Sequence, residues 1–545
     1  MCRSFELEGS SFIEVGGRMP GGTHQGARDS KSRVFSVALD DCSHSRDGCE
    51  TGILPKSPNT APKRIRCPLK ILLTALLGIC CTFVTYLCLP EDCSREAYRH
   101  DGHAGRLIHR SRHLHKRNAG PLLESPMEDT AVNGRLLQYC NFGHSGEEGQ
   151  GISENYDLVQ VHLLLSPGQR SLISTSSGLP VPRHSCRLDN KAKHFPEVWN
   201  FMQESISYKK TQHNRGGFKL YDLYPWGATC QPGQLLPDGI HQLVLLGKFL
   251  KNAYREKFQE MGRNSVDVHA LSAPDEVHYQ TAMAFSQGFL ETNDFKKLIV
   301  QKALENFCLR EGNQSCRCQY TEVLKEPVDR AVKQGHFMFK PGHSSTNQLA
   351  EKISCDQHCG SVVEISQNLL LRACQGMKFF CNAGADCLTP SLIATLIEEN
   401  DSYWQNLSRD TVFRSYAKLH SYPFLKRIVN FVEEASRTGS HTNSMYLYSS
   451  EHDFSTQVLS ALGFKVSRAP SYANRLAFEI WVQKSRLGER KHLIRVLHDG
   501  IDVTPSLPFC RNRLVDGLCK VKFLIDYLKG EILSHQTSYG EACKS

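Results

Sequence analysis

One uninterrupted apolar run, Ile71 to Leu89 (ILLTALLGICCTFVTYLCL), divides this 545-residue chain and limits what either side of it can become. Its 19 residues carry no charge, and at about 1.5 Å of helical rise each they nearly span a hydrocarbon core of about 30 Å. A cleaved signal peptide is the competing reading. Such peptides start near the N-terminus and have an apolar region of about 7–15 residues, whereas 70 residues precede this one. A membrane anchor over 69–89 is therefore expected. Lys63, Arg64, Arg66 and Lys70 crowd its N-terminal flank, and Pro90, Glu91 and Asp92 follow it, so the positive-inside bias holds the N-terminus in the cytosol. The basic stretch Arg106 to Arg117 opposes that bias from the other side.

The cysteines test the orientation separately. Of 22, 15 lie beyond the anchor, and the 14 from Cys140 onward are enough for seven disulfides; that density belongs to an oxidising compartment. Cys316-Arg-Cys318 and Cys355-x3-Cys359 are close enough to make a zinc site the runner-up, but no His pair stands at zinc-finger spacing among them, so neither a metal nor a cofactor is expected. Sequons at Asn313, Asn400 and Asn406 predict glycosylation on the lumenal side. Together these features predict a single-pass type II membrane protein, with its C-terminal domain in the lumen of the secretory pathway. With 65 Lys+Arg against 56 Asp+Glu, the net charge of +9 is small for the length and points to no nucleic-acid partner.

Residues 1–68, rich in Gly, Ser and mixed charge, read as a disordered cytosolic tail. Residues 90–150, with His103, His109, His113 and His115 in a basic setting, read as a flexible stem. A globular domain is expected over 151–545. It begins with a buried strand, LVQVHLLLS from Leu158, feeding the turn SPGQR. Gly233 to Leu250 reads as a loop and an amphipathic helix with Leu243, Leu246 and Leu250 on one face, and a further helix is expected from Glu276 to Leu290. Cysteine-rich, mostly helical patterning from about 290 to 437 suggests a cap inserted over the sheet. Met445 to Phe464 repeats strand, turn and helix, and Leu476 to Val482 with Leu493 to Val503 read as a closing strand pair.

In this order, the strand and loop at Val161 to Arg170, G-Q-L-L-x-x-G-x-x-Q-x-x-x-x-G from Gly233 to Gly247, S-x-E-H-D from Ser449, R-L-A-F-E-I-W from Arg475 and H-D-G-x-D-V-T from His498 resemble the branch-2 histidine acid phosphatases. The likeness is greatest to the Golgi branch that acts on 2-phosphoxylose in the proteoglycan linkage region. The resemblance implies an α/β fold, with a histidine-phosphatase-like sheet domain carrying helices on both faces and a mainly helical, disulfide-rich cap. It also implies phosphomonoester hydrolysis through a phosphohistidine. A loop of form Arg-His-Gly-x-Arg would supply the nucleophile and two phosphate-binding arginines, a helix would supply a third, and a His-Asp pair would protonate the leaving alcohol.

The chain departs from this pattern at the chemistry. Aligned on Val161 to Leu165, the family loop falls on Ser166, Pro167, Gly168, Gln169 and Arg170. Pro167 stands at the nucleophile position, and Arg170 alone remains of the loop's ionic groups. Val277 stands at the position of the helix arginine, with His278 beside it as a substitute phosphate donor. His452 and Asp453 form a His-Asp pair, although the ungapped register from Leu459 to Gly463 puts Glu451 and His452 on the pair's positions. His162 lies on the strand, five residues before the nucleophile position, and reads as a packed strand histidine. Two functions follow as expectations. One is a catalytically inactive pseudophosphatase that holds a glycosaminoglycan linkage region or a glycan-modifying enzyme. The other is an active phosphomonoesterase on 2-phosphoxylose.

Overall fold

The computed structural model of the chain describes residues 130–173, 181–211, 216–259, 266–308, 317–335, 362–377, 388–438, 444–484 and 491–544. The expected tail, the Ile71 to Leu89 anchor, most of the stem and the sequon Asn313 lie outside these residues. Among the described residues no helix is long and apolar enough to cross a membrane.

Strand β1 (Tyr156–Leu165) forms where the sequence strings together Leu, Val and His with almost no interruption, and nearly all of it is buried. A strand covered on both faces suits parallel neighbours. Indeed β4 (Ser444–Ser449) runs parallel to β1, β2 (Asp267–Ser272) parallel to β4, and β3 (Val300–Lys302) parallel to β2. On the other flank of β1 the sheet turns antiparallel through β5 (Arg475–Gln483), β6 (His492–His498) and β7 (Ile501–Asp502), and β8 (Cys519–Lys520) also pairs with β6.

Among the described residues, the helices of ten or more residues are α1 (Thr130–Cys140), α2 (Pro196–Thr211), α3 (Pro237–Gln259), α4 (Glu276–Phe289), α5 (Gln319–Gly335), α6 (Val362–Cys374), α7 (Pro390–Arg409), α8 (Thr411–Thr438) and α9 (His452–Ala461). The two-residue period of a strand, shifted by one residue at an irregularity between Leu158 and Gln160, sorts β1 between them. Val161, Leu163 and Leu165 pack with Leu243 and Val244 of α3 and Phe285 of α4. Val159 and Leu164 pack with Phe424 and Ile428 of α8 and Val458 of α9. The expected α/β architecture with helices on both faces of the sheet is therefore present. Helices α3 and α4 touch backbone to backbone: a Cβ on Gly247 would stand 2.2 Å from the Phe285 carbonyl oxygen, and one on Gly288 would stand 2.1 Å from that of Val244. That contact gives the glycine closing the Gly233 to Gly247 motif its physical reason.

Two expected boundaries are corrected. The insertion is narrower than 290–437, because β3 joins the sheet and the second half of α8 packs on it. Only the first part of α8 (Phe413, Ala417) packs with Val328, Val363 and Trp404 in the cap. The stem also ends earlier than residue 150. Leu136 of α1 packs against Leu370 and Ile393, Cys140 is disulfide-bonded to Cys374, and Glu148 is wholly buried against Arg475. The polar, glycine-rich run hid this anchoring, since ion pairs and a disulfide hold it rather than apolar periodicity. Cys186–Cys230, Cys318–Cys543 and Cys510–Cys519 are further disulfides among the described residues.

Candidate functional site

Adjacent parallel strands present their following loops at one edge of a sheet. Here β1 leads into residues 166–173, β4 leads through Ser450 and Glu451 into α9, and β2 leads through residues 273–275 into α4. The topology alone thus brings Pro167, Arg170, Glu451, His452 and His278 into one neighbourhood.

The loop after β1 is fixed at several points. Ser166 N donates to the Asn474 carbonyl (2.9 Å), Ala473 N to the Pro167 carbonyl (2.8 Å), Leu236 N to the Gln169 carbonyl (2.9 Å) and Ser171 N to the Gln234 carbonyl (2.8 Å). Gln169 N donates to Gln242 Oε1 at 3.1 Å. Gly168 lies directly on Gly239, where a Cβ would approach the Gly239 carbonyl oxygen to 2.4 Å. Pro167 is buried at the apex of this fixed loop.

Arg170 is 8% exposed. Its guanidinium forks onto both carboxylate oxygens of Glu451, at 2.8 and 2.7 Å, the bidentate geometry that arginine offers to carboxylate or phosphate alike. On the other side of the carboxylate, His278 Nε2 lies 3.3 Å from Glu451 Oε1, while its Nδ1 lies 3.6 Å from Asp275. Both are ion-pair distances, and neither ring nitrogen makes an aligned hydrogen bond. His452 Nε2 meets Asp453 at 3.0 Å, and its Nδ1 stands 3.5 Å from the Arg170 guanidinium. Tyr139, Pro167, Arg170, His452 and Tyr472 line a cavity of about 40 Å³, room for about three waters.

The protonation states follow from these neighbours. Burial opposes ionisation of Glu451, but the close approach of His278, the fork from Arg170 and their charges outweigh it and hold the carboxyl far below the usual carboxylate range. Burial works against the His278 cation, yet Asp275 and Glu451 raise its pKa. Burial likewise opposes the Asp453 anion, and His452 overcomes it to lower the Asp453 pKa. Three carboxylates, Glu451, Asp275 and Asp453, therefore surround Arg170, His278 and His452. The carboxylates at least offset the permanent charge of Arg170 before any ligand arrives, a poor setting for a phosphate dianion.

Each residue singled out in the sequence can now be placed. Arg170, His278 and His452 do converge, with Pro167 beside them. Val277 packs against the hydrophobic core, so nothing at the helix-arginine position addresses the cluster. Glu451, and not His452, receives the arginine fork, in keeping with the ungapped register. His162 is wholly buried, stacked on Tyr446 at 4.6 Å and bonded to the Tyr448 hydroxyl at 3.1 Å. Burial, Arg427 and His269 push its pKa down to about 3, so it is a neutral packing residue. Of the sequons, Asn406 is exposed on α7. Asn400 on the same helix is 3% exposed, which corrects the expectation that it carries a glycan, because the folded domain has no space for one. The sequence reading missed Glu451 as a partner of Arg170, Asp275 as a partner of His278, and the walls Tyr139 and Tyr472. Cys140, next to Tyr139, was the signal available for the last pair.

No family model matches the chain. The chain is similar to 2-phosphoxylose phosphatase 1 from Mus musculus, 24% identical over 437 residues, covering 78% of this chain and 88% of that protein. It is likewise similar to the Danio rerio protein of that name, 25% identical over 455 residues with the same coverage. Among solved structures, the phytase from D. castellii shares 15% identity and a TM-score of 0.42, covering 78% of this chain and 92% of that one. The α/β fold is that of the sheet and helices described above, and the sequence likeness over 78% of the chain agrees with the motifs. By that likeness the chain resembles the 2-phosphoxylose phosphatases.

Proposed function

We propose that this chain is a pseudophosphatase: a lumenal, type II Golgi membrane protein that keeps the histidine acid phosphatase scaffold without its covalent chemistry. One observation carries the reading. Pro167, at the position where the family places its nucleophile, sits buried in a loop whose backbone is bonded on both sides, and it has no side-chain nitrogen to attack phosphorus. No neighbouring histidine supports taking the role. His162 is stacked inside the sheet, His278 is 2% exposed between two carboxylates, and His452 is engaged by Asp453. Positioning and charge neutralisation do most of the work in phosphoryl transfer, and here one loop arginine remains, already neutralised by Glu451. The scaffold is then a binding surface for the glycosaminoglycan linkage region or for an enzyme that modifies it.

The test is steady-state assay of the purified protein against a 2-phosphoxylose glycoside and an aryl phosphate, beside Arg170→Ala. The proposal expects hydrolysis no faster than the uncatalysed background with either substrate. Saturable turnover that disappears in Arg170→Ala would establish the active phosphomonoesterase instead.

A further inference from the structure

The geometry points to Glu451 as an internal ligand. We propose that its carboxylate occupies an oxyanion seat formed by Arg170 and His278, and that the seat accepts a tetrahedral oxyanion, phosphate or sulfate, only when Glu451 swings out. The inference rests on the reading of the site as phosphatase-derived and adds a gate to it.

Three observations converge. First, the carboxylate makes the contacts that an oxyanion would make: a two-point fork with Arg170 at 2.8 and 2.7 Å and an approach to His278 Nε2 of 3.3 Å. A planar carboxylate and one edge of a tetrahedral oxyanion present the same pair of oxygens to a guanidinium. Second, the cations are fixed and the anion is not. Arg170 and His278 are 8% and 2% exposed. Arg170 sits in a loop bridged to Leu235, and His278 lies on α4, whose backbone carbonyl at this residue accepts from the Ser449 hydroxyl at 2.8 Å. The Glu451 side chain is 41% exposed and stands in the short link between β4 and α9, at the N-cap of α9, where it makes no capping bond. Rotation about its side-chain bonds would carry the carboxylate into solvent without moving either cation. Third, the seat's second cation is only loosely met: neither ring nitrogen of buried His278 makes an aligned hydrogen bond, Nε2 standing 3.3 Å from Glu451 and Nδ1 3.6 Å from Asp275. A carboxylate has two oxygens to offer, whereas phosphate or sulfate has four. Buried donors left unmet in a closed protein are the residue pattern expected of a seat built for a larger anion.

The gate also accounts for how such a seat persists without attracting free phosphate. A carboxylate already oriented in the seat competes intramolecularly, at an effective concentration well above that of a free millimolar anion. A ligand prevails only if it binds by further contacts as well, such as a sugar or a peptide bearing the anionic group.

The experiment titrates inorganic phosphate, and separately sulfate, into the full lumenal protein, the Glu451→Gln variant and the double variant Glu451→Gln/Arg170→Ala, by calorimetry and by thermal shift. Expected is binding to Glu451→Gln at least about tenfold tighter than to the wild type, with the gain lost in the double variant. A phosphate arm tighter than the sulfate arm marks phosphomonoesters as the source of the ligand, and the reverse marks sulfate esters. Glu451→Ala serves as a second gate variant, and circular dichroism establishes that each variant is folded. The proposal is overturned if folded Glu451→Gln and Glu451→Ala bind both anions no better than wild type, or if the gain survives removal of Arg170. Turnover is a separate readout: catalysis by the wild type would sink the pseudophosphatase reading, whereas absence of gated binding would sink only the gate.

Discussion

The two halves of the sheet use the same chemical pair in opposite ways. In the antiparallel half, Arg475–Glu148 and Arg495–Glu479 are buried ion pairs in which every one of the four residues is at most 3% exposed. Their remaining polar atoms are largely satisfied. Arg475 donates to the Ser145 carbonyl, Arg495 to the Gln150 and Glu147 carbonyls, and Glu479 accepts from Gly149 N and Trp481 Nε1. These pairs tie residues 145–150 to the sheet. At the carboxyl edge of the parallel half, Arg170–Glu451 has a buried cation but a half-open anion, beside a buried His278 that makes no aligned hydrogen bond. A closed pair serves as a fastener; a half-open pair beside unmet donors serves as a seat. The same Arg–Glu chemistry thus yields structure in one place and a ligand-sized vacancy of function in the other, depending on what surrounds it.

Breaking the fastener should have the largest effect. Arg495→Met leaves Glu479 buried and unpaired, and should lower unfolding free energy by about 3–5 kcal/mol, read from the denaturant midpoint. Next comes the disulfide that ties α1 to the cap. Replacing Cys140 and Cys374 with Ser should cost about 2–4 kcal/mol and expose Tyr139, seen as faster hydrogen exchange over 130–141. Smaller still is the seat. Glu451→Gln should cost about 1 kcal/mol, since its anion is partly solvated.

The pH dependence of that last variant sharpens the contrast. The Glu451 pKa is depressed in the fold, so its contribution is complete above an unfolded value of about 4.3 and is lost as pH falls toward the folded one. The His278 pKa is raised, so its contribution is complete below about 6.5 and is lost as pH climbs through the folded value. The stability difference between wild type and Glu451→Gln should therefore be greatest between about pH 4.3 and 6.5 and shrink on either side; a difference flat from pH 4 to 9 would contradict the assignment. At the bottom of the scale, with the domain expressed through a secretory host, Asn400→Gln should leave its glycan mass unchanged, whereas Asn406→Gln should remove one glycan, as read by intact mass.

The fold was largely legible because its signals are local. The buried run of β1, the strand-turn-helix of β4 and α9, and the glycines of α3 and α4 each state their structure within about 20 residues. The loop substitutions were equally plain, since Pro167 and Arg170 follow directly from the strand. The hidden part was the pairing. Glu451 meets Arg170 across 281 positions, and a one-residue ambiguity before Leu459 left it open whether Glu451 or His452 faces the loop. Likewise nothing in the polar stretch before Leu158 announces that Glu148 is wholly buried, because its counter-ion Arg475 lies 327 positions away. Period and turn chemistry report on neighbours in sequence, whereas ion pairs across a sheet depend on strand order, which only the folded chain supplies.

The central claim is that the covalent step has been lost, and one measurement addresses it directly. The purified protein is mixed with excess 2-phosphoxylose glycoside, quenched over a series of short times, and weighed intact by mass spectrometry. The account predicts the unmodified mass at every time point. An acid-labile adduct of one phosphoryl group that maps to a histidine would contradict it.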